Sequence, residues 1–132
     1  MPLTNRRLLG PRIRLFRIAL ILIAISMMGC DKYNLANNKE IILGTWISLD
    51  KSDTLDIVDD SNFYKSTSHM HYDRYLYELF VDSIKIGYSG ILYVAVKPTY
   101  HKYSIDEDKL TIDFSNRNCY GFSNQETTYT KE

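Results

Sequence analysis

Apolar side chains recur on every second residue through much of this chain, and that period excludes a helical fold for its larger part. In Ser83-Ile84-Lys85-Ile86-Gly87-Tyr88 the apolar set is Ile84, Ile86 and Tyr88, with polar residues between them. Lys109 to Phe114 places Leu110, Ile112 and Phe114 on one face, with Thr111 and Asp113 opposite. His101 to Ile105 places Tyr103 and Ile105 inward in the same way. Each pattern is that of an antiparallel strand with one buried face. Weaker segments of the same kind span 45–49, 54–58, 62–66, 74–81, 91–97 and 126–131. All 11 tyrosines lie after residue 30, where aromatic rings suit a pleated surface. Turn-forming residues separate the segments, among them Asp59-Asp60-Ser61, Asp82-Ser83, Ser89-Gly90, Pro98-Thr99, Asp106-Glu107-Asp108 and Ser115-Asn116-Arg117-Asn118. Nine short strands with short connections predict an all-β antiparallel meander. Closure into a small barrel removes its exposed edges.

The N-terminus follows other rules. Arg6, Arg7, Arg12, Arg14 and Arg17 precede the apolar run from Ile18 to Met28, and Gly29-Cys30 follows, with no acidic residue before Asp31. A basic start, a short apolar core and a small residue before a cysteine have the form of an export signal. The run is shorter than the roughly 20 residues a membrane-spanning helix needs. With cysteine at the cut site, the segment resembles a bacterial lipoprotein signal. That resemblance implies a helical signal segment over 1–29, lipidation of Cys30 and a polar tether over 30–40. Two or more acyl chains hold a protein at a bilayer essentially permanently. The expected location is the cell envelope of a diderm bacterium, anchored in the outer or the inner membrane.

Loss of the leader changes the charge. The chain from Cys30 onward keeps all 16 acidic residues but loses five arginines, so its net charge is −5. An acidic domain has no long-range attraction for nucleic acid, which excludes that partner class. Residues 41–132 suit one domain. Cys119 is the only cysteine left once Cys30 is acylated, so no internal disulfide is available. A small packed residue is its expected role, with a free reactive thiol the alternative.

At Leu43-Gly44-Thr45-Trp46 the chain resembles the opening of a lipocalin-like domain. The resemblance runs on through Asp53 to Ile57, Asn62 to Tyr64, Tyr75 to Leu79, Asp82 to Ile86 and Tyr103 to Ile112. It implies a short helical turn over 38–42, then a barrel whose closed end Trp46 plugs. It also implies that a basic side chain of the last strand stacks on that ring, Lys131 first and Arg117 second. Gly44 lets the backbone pass close to the barrel floor.

An eight-stranded lumen holds side chains or one small ligand. Tyr75, Tyr77, Tyr88, Tyr93 and Tyr103 are candidates to line a mouth for an apolar or amphipathic ligand, or else to fill the interior. His69 and His71, with Asp73 nearby, are the only arrangement suggestive of metal binding, and two histidines fall short of a site. No resident cofactor is expected. No nucleophile elbow, phosphate loop or metalloprotease helix is present, so catalysis is not expected. Two functions follow: a tethered module binding a small apolar ligand, or a structural and interaction lipoprotein whose filled barrel meets an envelope protein.

Overall fold

The computed structural model describes residues 34–68 and 70–132. Eight strands form one closed antiparallel barrel in sequence order. They are β1 (Gly44–Ser48), β2 (Asp53–Ile57), β3 (Asn62–Thr67), β4 (Met70–Leu79), β5 (Ser83–Tyr88), β6 (Thr99–Asp106), β7 (Lys109–Asp113) and β8 (Glu126–Lys131). Trp46 lies opposite Lys131 and Ile47 opposite Thr130, so β1 and β8 complete the ring and leave no open edge. A short helix, α1, covers residues 34–41 and leads into β1.

The two-residue period sets the core. Leu55 and Ile57 of β2, Phe63 of β3, and Tyr75, Tyr77 and Leu79 of β4 are buried. So are Ile84 and Ile86 of β5, Tyr103 of β6, Leu110 and Ile112 of β7, and Tyr129 of β8. The intervening Leu76 and Glu78 of β4 face solvent. A one-residue slip in any pairing would turn an entire apolar set outward, so this core also fixes the register.

The strand reading departs from the structure in three places. Residues 91–97 are not a strand: the β5–β6 connection there carries no sheet pairing. The ring closes with eight strands and offers a ninth no neighbour. Pro98 also lacks the N–H a ladder needs. The gap left between the 62–66 and 74–81 segments is mostly strand: β3 runs to Thr67 and β4 starts at Met70, with an irregularity in the pairing between Lys65 and Thr67. Residues 34–40, expected as polar tether, are helical, and Leu35 packs on the core. The leader, Cys30, the tether as far as residue 33, and His69 lie outside the described residues. Among the described residues no helix is long and apolar enough to cross a membrane.

Candidate functional site

The chain enters the barrel at the end that carries α1 and the β2–β3, β4–β5 and β6–β7 connections. Gly44 has φ +125°, which an L side chain rarely adopts, and a Cβ there would lie 3.0 Å from the Lys131 side chain. Trp46 is fully buried and its Nε1–H donates to the Ile42 carbonyl at 2.7 Å. Lys131 Nζ lies 5.4 Å from the Trp46 ring centroid and donates to the Ile41 carbonyl at 2.8 Å. The Lys131 ammonium thus ties the end of α1 to the last strand over the indole face. Arg117 is exposed in the β7–β8 connection and has no part in this contact. Asn38 of α1 donates to the Tyr103 hydroxyl at 3.2 Å, which itself donates to the Phe80 carbonyl at 2.7 Å.

The opposite end is the mouth, and aromatic side chains close it. Phe122, in the long β7–β8 connection, stacks on Phe114 with centroids 4.5 Å apart. Its edge meets Tyr75 at 5.4 Å and Phe63 at 6.4 Å. The Tyr75 hydroxyl donates to the Tyr120 carbonyl at 3.0 Å, fixing the connection over the lumen. Gly121 has φ +83°, and a Cβ there would overlap the Tyr75 hydroxyl. Below this cap, Phe63 and Tyr75 stack at 5.0 Å. The buried side chains from Trp46 up to Tyr75 form one cluster, with Phe122 packed against it.

The five candidate tyrosines are not brought together. Tyr75, Tyr77 and Tyr103 are core residues whose hydroxyls each donate to a backbone carbonyl, that of Tyr77 to Asp59 at 2.6 Å. Tyr88 is half-buried at the mouth and its hydroxyl donates to Asp73 at 3.2 Å. Tyr93 is fully exposed in the β5–β6 connection. Burial raises the Tyr75, Tyr77 and Tyr129 hydroxyls well above the usual phenol range. These are structural phenols.

The upper layer of the lumen is polar, a feature the sequence reading passed over. Lys65 is only 7% exposed and its Nζ lies 3.2 Å from the Asp53 carboxylate. The same Nζ lies 4.9 Å from the Phe122 centroid. His101 is buried, with Nε2 2.7 Å from Thr99 Oγ1, and burial holds its pKa below the ordinary imidazole value. Burial pushes the Cys119 thiol up to about 11, leaving it a protonated packing residue. The signal for this layer was parity: Lys65 shares a face with Phe63, Asp73 with Tyr75, and His101 with Tyr103. Among the described residues no group of three or more His, Cys, Asp or Glu side chains could hold a metal ion.

Two hollows adjoin the β5–β6 connection, one at the mouth and one on the outer wall of the barrel. One of about 270 Å³ is lined by Lys65, Thr67, Asp73, Tyr75, Leu92, Tyr120 and Gly121. The other, of about 230 Å³, lies where Val96 and Pro98 meet the β4 and β5 wall. Beside them the β5–β6 connection presents Ile91, Leu92, Tyr93 and Val94 to solvent. No protein-family model matches the chain, and no curated protein or solved structure is significantly similar to it.

Proposed function

We propose that this protein is a membrane-tethered, lipocalin-like lipoprotein of the cell envelope that acts by surface contact with an envelope protein. In this reading the barrel is a rigid, non-enzymatic scaffold and not a carrier of apolar ligand. The observation that carries the reading is the aromatic cap of Phe122 on Phe114, Phe63 and Tyr75 over one continuous core cluster. Lipid carriers need a water-excluding apolar cavity of several hundred cubic ångströms. The mouth hollow is smaller than that and holds Lys65 and Asp73 in its wall.

The contact surface is the β5–β6 connection, where Ile91 is 91% exposed and Tyr93 fully so. A contiguous exposed apolar run on an otherwise alternating barrel marks an interaction element. It sits at the pole of the barrel opposite α1.

The test has two arms. Full-length protein in mild detergent, titrated with N-phenyl-1-naphthylamine, is expected to give no saturable fluorescence gain; saturable binding would restore the ligand-carrier reading. A photocrosslinker at Tyr93 in intact cells is expected to give a discrete protein adduct that the Ile91→Ser substitution abolishes. An adduct pattern unchanged by Ile91→Ser would remove the loop from the account.

A further inference from the structure

The mouth hollow has the chemistry of a small-molecule subsite that an apolar scaffold does not need. Lys65 and Asp73 are direct cross-strand partners on β3 and β4, both on the lumen face and both in the wall of the same hollow. A facing Lys–Asp pair ordinarily forms an ion pair across the ladder. Here the ion pair of Lys65 among the described residues runs to Asp53 on β2, at 3.2 Å, and Asp73 accepts from the Tyr88 hydroxyl at 3.2 Å. The two opposite charges therefore stand side by side at the floor of a space of about 270 Å³. Tyr75, Tyr120 and Leu92 supply its apolar wall.

We propose that this hollow binds a small zwitterion of the α-amino-acid type, its carboxylate on Lys65, its ammonium on Asp73 and its side chain against Tyr120 and Leu92. No ion pair joins Lys65 to Asp73 among the described residues, so both groups stand in the wall for a molecule that carries the two complementary charges. The wall excludes the simpler alternatives. A purely apolar molecule would cover Lys65 and Asp73 while adding no hydrogen bond to either. A lone anion meets the Asp73 carboxylate in the same wall as the one ammonium. A lone cation meets the buried Lys65 charge. The volume lies below the range of drug-sized pockets, which limits the occupant to the size of a single amino acid. The hollow shares Leu92 with the β5–β6 connection but takes its polar groups, Lys65 and Asp73, from β3 and β4.

Isothermal titration of the full-length protein in mild detergent tests it with three probes that share one propyl chain: L-norvaline, pentanoate and butylamine. L-norvaline is expected to bind at least about tenfold tighter than either single-charge analogue. Lys65→Met and Asp73→Asn are each expected to weaken L-norvaline about tenfold or more and to leave butylamine and pentanoate, respectively, no weaker. Circular dichroism establishes that each variant is folded. If Lys65→Met does not fold, Asp73→Asn, at the half-buried position, decides alone. Absence of L-norvaline binding, equal binding of pentanoate or butylamine, or unchanged affinity in Asp73→Asn would overturn the proposal.

Discussion

Removing the ring of Phe122 is the most informative perturbation of the barrel, because that ring separates the lumen from solvent. In Phe122→Ala the stack on Phe114 at 4.5 Å, the edge contact with Tyr75 at 5.4 Å and the Lys65 ammonium at 4.9 Å are all lost. A fully buried Phe→Ala change costs about 3–5 kcal/mol. Phe122 is only partly buried, so its transfer contribution is roughly half that of a core phenylalanine, about 1–1.5 kcal/mol. The aromatic contacts add about 0.5–1.5 kcal/mol, which brings the expected loss to about 2 kcal/mol. For a domain of about 100 residues that is a fall in Tm of roughly 10 °C. Urea unfolding followed by tyrosine and tryptophan fluorescence measures the loss. N-phenyl-1-naphthylamine should bind the variant and not the parent, since the rings of Phe114, Phe63 and Tyr75 become accessible. A loss below about 0.5 kcal/mol, or equal dye binding by both proteins, would refute Phe122 as the cap.

Three further outcomes follow from the same geometry. Lys131→Ala should cost about 2 kcal/mol in urea unfolding, from the charged hydrogen bond to Ile41 and the contact with Trp46, and Lys131→Arg should recover most of it. His101 has a folded pKa below its ordinary 6.5, so the unfolded chain takes up its proton first as pH falls. The stability tied to neutral His101 is then complete above pH 6.5 and is lost as pH drops below it; His101→Gln should flatten the Tm profile between about pH 7 and 5, and an unchanged slope would contradict this. Cys119, raised to about 11, should resist iodoacetamide in the native protein at neutral pH and react at once in urea; prompt native alkylation would show that the thiol is not sealed beneath the β7–β8 connection.

The strands were legible because burial on one face of a closed sheet imposes a period of two, and Ile84, Ile86, Leu110 and Ile112 obey it without exception. The floor was legible for a different reason. A glycine followed two residues later by the single tryptophan needs both a positive φ and a large cavity to fill, and a cation at the chain end completes that cavity. The 91–97 run misled because Ile, Tyr and Val favour strands wherever a neighbour exists to pair with. Local preference carries no information about how many places a ring holds. The mouth escaped because Lys65 and His101 were given no role and Asp73 was weighed only beside His69 and His71, although each has the parity of a buried neighbour. The candidate tyrosines failed as one site because ring chemistry says nothing of depth: Tyr77 and Tyr103 lie toward the floor and Tyr93 lies outside the barrel.

Native mass spectrometry of the protein extracted from its own membranes tests the account most directly. It should give a chain that starts at Cys30, carries covalent acyl groups there and retains no apolar molecule inside. An intact leader, an unacylated Cys30, or a co-purifying apolar ligand held until the barrel unfolds would contradict a lipid-moored scaffold with a full interior.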